Sequence, residues 1–193
     1  MTTAEPTSAR RGRPALVVVL VVVAGSIWLL DQLAKWLAVA RLAGRPPVEL
    51  IGDWLTLTFL RNPGAAFSLG TGSTVVFTVV ATVVVVVILR SARRLRSAWW
   101  AVALGGLLGG ALGNLTDRLL REPGFPAGHV VDFISVKYFA VFNVADMAIV
   151  GSAILMVVLS LLGVELAGRP ARAVPEAEPT APPNEGGTAG PDG

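Results

Sequence analysis

Along most of this chain apolar residues do not alternate with polar ones; they gather into four long runs separated by turn-rich connections. Ala15 to Leu30 is uncharged, and its helix is expected to continue to about Ala40. Thr71 to Leu89, Ser97 to Thr116 and Met147 to Val164 are also free of charge. Crossing the hydrocarbon core of a bilayer takes ~20 apolar residues as helix, and all four runs suit that role. Val83 to Val87 are consecutive valines, which favour strands in water. An open strand in lipid leaves its backbone unpaired, so helix is the expected state. The period changes in the connections. Trp54-Leu55-Thr56-Leu57-Thr58-Phe59 alternates as a short strand does, between turn signals at Gly44 to Pro47 and Asn62-Pro63-Gly64. A small sheet on the membrane surface is expected there. The second connection, roughly 117 to 145, has a Pro/Gly-rich stretch from Glu122 to Gly128 and then an apolar segment reaching Phe142. A connection that long is commonly functional.

The expected fold is an all-α membrane protein, with four transmembrane helices, a small extracytoplasmic β-element and both termini cytoplasmic. Residues 15–166 form the membrane domain in this reading. The basic stretch 1–14 and the Pro/Ala/Gly/Glu-rich tail 167–193 are expected to be disordered.

Composition supports the membrane reading. Of 193 residues, 53% are hydrophobic and 15% charged, well below the charged quarter of a soluble domain. The net charge is +3, but the arginines flank spans rather than form a nucleic-acid surface. Arg10, Arg11 and Arg13 precede the first run. Arg90, Arg93, Arg94 and Arg96 separate the second from the third, and Arg169 and Arg172 follow the fourth. Four spans put all three groups on one side, which the positive-inside rule makes cytoplasmic. The first run could instead be a signal peptide cut after Ala38-Val39-Ala40; Asp31 and Lys35, intervening before that site, argue against it. With no cysteine, disulfide and thiolate chemistry are excluded. One histidine, His129, rules out a multi-histidine metal site, and no cofactor is expected.

Two carboxylates then stand out. Asp132 lies in Val130-Val131-Asp132-Phe133-Ile134, where desolvation demands a partner or a proton. Asp146 follows Asn143 by three residues, the spacing of an N-cap and a favourable first-turn acid. Singly, each suits a structural role as well as a catalytic one. Together, on one side of the membrane beside apolar runs, they point to a shared-proton pair that activates water against a peptide bond. Asp31 and Lys35, four apart, share a helix face, either as a local ion pair with a snorkelling lysine or as contacts to a partner helix or substrate. Asn62 is either a turn residue or an amide for a bound peptide carbonyl. Gly105, Gly109 and Gly113, with Gly106 and Gly110, make a helix-packing ridge that ends in Asn114-Leu115-Thr116-Asp117-Arg118. Asp117 and Arg118 are either a helix-end pair or supports for the acids.

Five blocks, in order, resemble the lipoprotein signal peptidases (signal peptidase II). They are Asp31-Gln32-Leu33-Ala34-Lys35, Asn62-Pro63-Gly64-Ala65-Ala66-Phe67, Gly113-Asn114-Leu115-Thr116-Asp117-Arg118, Val131-Asp132-Phe133 and Phe142-Asn143-Val144-Ala145-Asp146. The likeness covers roughly residues 25 to 152. It implies an intramembrane aspartyl endopeptidase of a bacterial cell membrane, with its site on the extracytoplasmic face; a monomer in contact with membrane lipid is the expected state. Asp132 and Asp146 would be the catalytic dyad. Asn62, Asn114, Arg118 and Asn143 would line or brace the substrate site, supported by Asp31, Lys35 and Asp117. The implied substrate is a prolipoprotein bearing a diacylglyceryl group on cysteine, cut just before that cysteine. Other peptidase classes lack their marks: there is no His-Glu-x-x-His and no Gly-x-Ser-x-Gly. A proton-coupled transporter would place its acids near mid-span and often in repeated halves, and a membrane scaffold would not need the acids at all.

Overall fold

Each of the four apolar runs contains a long helix in the computed structural model, which describes residues 12–64 and 73–167. The expectations for 1–11 and 168–193, and for Ala65 to Ser68 of the Asn62 block, lie outside the described residues. The helices are α1 (Gly12–Leu42), α2 (Ser73–Ala92), α3 (Ala98–Leu120) and α4 (Val144–Leu161), each long and apolar enough to cross a bilayer. The 31 residues of α1 rise about 46 Å at ~1.5 Å per residue, more than the ~30 Å hydrocarbon core. Its last turns therefore reach past the lipid. The helix also runs unbroken through Ala38 to Ala40, with Ala38 packed in a core.

At the centre lies α3, with 61% of an 18-residue apolar stretch buried against 11–17% for the other three. It is also the least apolar of the four, at mean hydropathy 1.3 against 2.3–2.5. In lipid, helices associate through close packing of small residues rather than through hydrophobicity, and the glycine ridge does this. A Cβ on Gly105 or Gly109 would stand 2.8 or 2.6 Å from the Leu20 and Ala24 carbonyls of α1. Gly106 and Gly110 make the same close approach to Ser152 and Ala145 of α4.

The sheet is antiparallel in the order β1 (Val48–Ile51), β2 (Leu55–Asn62), β3 (Val130–Val136), β4 (Val141–Phe142). Both connections supply it, where alternation had located a strand only in the first. In β3 the residues Val130 to Phe133 are buried on both faces, so the period of two is hidden by a continuous apolar run. Ala38 and Leu42 of α1 pack on Val131 and Phe133 of β3, fixing the sheet over the end of the bundle. The opposite end holds Arg90, Arg93, Arg94 and Arg96 around the α2–α3 turn, where Arg96 N–H donates to the Leu166 carbonyl at 2.9 Å.

Candidate active site

The pleat of β3 decides which way Asp132 points. Successive side chains face opposite sides of a strand, so with Val131 and Phe133 turned to α1, Asp132 lies on the other face. It stands opposite Leu60 of β2, with Asn62 two residues further along. A bulge between Leu57 and Leu60 inserts one extra residue in β2 and resets this register. Asn62 Nδ2 thereby reaches Asp132 Oδ2 at 2.7 Å. Its carbonyl oxygen is turned the other way, accepting the Gly64 N–H at 2.8 Å. Gly64 is at φ 103°, in the left-handed region that suits glycine and is strained for other residues.

Asp146 is placed by the start of α4. Asn143 is the N-cap of a reciprocal capping box: its Oδ1 accepts the Asp146 N–H at 3.0 Å, and its own N–H donates to Asp146 Oδ2 at 3.1 Å. α4 therefore begins three residues before the apolar run expected from Met147, because its first turn carries the acid. The same Asn143 donates Nδ2 to Asp132 Oδ1 at 2.6 Å, so one buried side chain holds both acids. Asn114 completes the set, its Nδ2 donating to Asp146 Oδ1 at 2.8 Å. Its Oδ1 accepts from Lys35 Nζ at 2.9 Å and from Asn143 Nδ2 at 3.2 Å, which orients the amide.

Behind Asn114 lies a buried ion cluster. Lys35 Nζ is 2.8 Å from Asp31 Oδ2 and 2.9 Å from Asp117 Oδ2, all three side chains fully buried. The ion pair expected from the Asp31 and Lys35 spacing is present, but the lysine does not snorkel; it points into the protein. Asp31 Oδ1 accepts the Ala145 N–H of α4 at 2.9 Å, and Asp117 Oδ2 accepts the Val131 N–H of β3 at 3.1 Å. The cluster thus ties α1 and α3 to the two elements that carry Asp146 and Asp132. Gly113 is required beside it, since a Cβ there would stand 2.6 Å from Asp31 Oδ2.

Asp117 and Arg118 do not pair with each other, as neighbours in a helix face different directions. Asp117 bonds Arg121 Nε at 2.6 Å. Arg118 lies over the Phe77 ring of α2 at 5.3 Å, within electrostatic reach of Asp132 and Asp146. Its Nη1 is buried with no hydrogen-bond partner among the described residues. All nine residues singled out from the sequence therefore belong to one connected region. Two more were missed. Arg121 had the i,i+4 spacing from Asp117 to give it away, whereas Gln32, which bonds Asp31 and the Gly113 carbonyl, had no such signal.

The two acids differ in setting. Asp132 is 1% exposed, while Asp146 is only half-buried. Burial pushes the Asp132 carboxyl up to about 6, helped by the nearby Asp146 charge and opposed by the Asn62 and Asn143 hydrogen bonds. Its proton is therefore retained up to about pH 6, above the ordinary carboxyl range.

Fold and site define an integral membrane protein with a carboxylate pair, joined through one asparagine, at the end of its spans. The chain belongs to the signal peptidase II family: a family profile described as signal peptidase (SPase) II matches residues 23–162. It is 52% identical over 158 residues to a lipoprotein signal peptidase of Streptomyces griseus, covering 82% of this chain and 80% of that one. It is 55% identical over 146 residues to one of Rhodococcus jostii, covering 76% and 74%. The fold is similar to that of a bacterial membrane enzyme solved at 1.9 Å, with TM-score 0.65 and 27% identity over 74% of this chain and 92% of that one.

Proposed function

We propose that residues 15–166 form an aspartyl endopeptidase that removes signal peptides from diacylglyceryl-modified prolipoproteins, cutting before the lipidated cysteine. The observation that carries this reading is the double role of Asn143, which caps Asp146 and binds Asp132. Two acids held by one residue in unequal surroundings suit an acid–base pair. Asp132, deeply buried and raised to about 6, holds the shared proton; Asp146, more open to water, is the base. Asp146 takes a proton from water as the oxygen adds to the scissile carbonyl carbon. The Asp132 proton passes to the carbonyl oxygen, and the gem-diol then collapses, breaking the C–N bond as Asp146 gives its proton to the leaving nitrogen and Asp132 takes one back from a gem-diol hydroxyl. Arg118 Nη1, buried without a partner among the described residues, is the donor for a substrate carbonyl.

The sheet end is extracytoplasmic in this reading, because the arginine-rich turn between α2 and α3 sits at the other end. The signal helix lies among the spans, its acyl-bearing cysteine at the bilayer edge, and the scissile bond meets the acids there. No metal or cofactor takes part, and the enzyme acts as a monomer. The deciding experiment is cleavage of a diacylglyceryl-modified prolipoprotein by purified wild type, Asp132→Asn and Asp146→Asn. Cleavage before the lipidated cysteine, lost in both folded variants, is the expected result. Cleavage that survives either substitution would remove that acid from the chemistry.

A further inference from the structure

On the face of β3 opposite Asp132 lies a second polar feature that the peptidase chemistry does not use. A hollow of about 200 Å³ opens at the end of α3, walled by Arg61, Arg121 and His129, with Glu122 its one lining carboxylate. Val39, Val131 and Leu120 supply its apolar side. Arg121 uses Nε on Asp117 at 2.6 Å, and no hydrogen bond among the described residues engages its terminal nitrogens. Arg61 pairs with Glu122 at 2.6 Å, but the two side chains are 48% and 81% exposed. Such a pair is weak and yields readily to a stronger anion. The surroundings fix the level in the bilayer. Leu120, which lines the hollow at the end of α3, is 80% exposed, and Phe125, five residues further on, is 77% exposed. Outward apolar side chains next to arginines suit the boundary between acyl chains and headgroups.

We propose that this hollow is a binding site for an anionic glycerophospholipid, its phosphate held between Arg61 and Arg121 and an acyl chain lying along Val39 and Leu120. Planar guanidinium groups suit phosphate oxygens, His129 adds a further polar partner, and the apolar side of the hollow accepts the glycerol end of the chain. The site lies on the face of β3 away from the dyad and is joined to the ion cluster through the Arg121–Asp117 pair. Glu122 competes with the phosphate for Arg61, so its removal strengthens binding.

The test is native mass spectrometry of the full chain released from micelles with phosphatidylglycerol, or with phosphatidylcholine of the same acyl chains. Inorganic phosphate forms a third arm. Wild type is expected to retain phosphatidylglycerol about tenfold better than phosphatidylcholine, as one charge-assisted contact provides. Arg61→Gln with His129→Gln should erase that preference, and Glu122→Gln should raise it severalfold. Opposite shifts from neighbouring surface positions separate a site from a folding defect. Equal retention of the two lipids, or a preference unchanged by the double substitution, would overturn the proposal. Inorganic phosphate binding as tightly as phosphatidylglycerol would overturn the lipid assignment.

Discussion

Asp31, Lys35, Asp117 and Arg121 lie on one side of Asn114, and Asn62, Asn143, Asp132 and Asp146 on the other. Each group contains two carboxylates, yet the two are treated differently. In the first, a lysine and an arginine balance the acids, and every bond is made within the protein. In the second, the hydrogen bonds to the acids among the described residues come from amide and backbone N–H groups, and the nearest cation, Arg118, makes no ion pair with either. Amides satisfy lone pairs without cancelling charge, so one of the two acids has reason to keep a proton. The ion cluster is built to hold helices together, and the amide cluster to leave a carboxyl pair reactive.

Substitutions can break that contrast at several points. The largest effect is expected for Asp146→Asn or Asp132→Asn, a ~10⁴-fold fall in cleavage with the helical circular dichroism unchanged. Lys35→Met should act on the fold instead, leaving Asp31 and Asp117 buried without their shared cation. A loss of about 3–5 kcal/mol is expected in thermal unfolding, and adding Asp31→Asn should recover part of it. Asn114→Asp keeps the shape but presents a carboxylate to Asp146. It should cut kcat by ~10²-fold with little change in KM, which progress curves on folded protein would read.

Protonation sharpens the same contrast. With Asp132 at about 6 when folded, against 3.8 ordinarily, the folded state binds the extra proton between those values. Stability should therefore fall by about 1–3 kcal/mol as pH rises through that window, then level off, and Asp132→Asn should lack that decline. For kcat/KM of the free enzyme, an alkaline limb near 6 is expected. The smallest change is expected from Arg121→Gln, about 1 kcal/mol of unfolding stability with the dyad intact, since the arginine is 29% exposed.

Much of this is legible in the amino-acid sequence alone. The spans announce themselves because lipid demands long uncharged helices, and Asp132 and Asp146 stand out as acids beside them. Asn143 was readable as a cap from its spacing to Asp146. What one sequence hides is direction. Nothing local says that Lys35 turns inward rather than to the interface, because that depends on two acids, one of them far along the chain. β3 was hidden for the opposite reason, its buried faces erasing alternation. Hydropathy also misleads about which helix is central: the valine-rich α2 is the least buried, and the glycine-bearing α3 the most.

Asparagine as the anchor has a consequence for how the site responds to its surroundings. Asn62, Asn114 and Asn143 carry the side-chain donors to the two acids, and an amide neither gains nor loses a proton between acid and base. A histidine or lysine in those positions would have titrated together with the acids, changing the geometry along with the charge. Here the frame stays constant while its contents change. Asp132 can hold or release its proton within an unaltered set of donors.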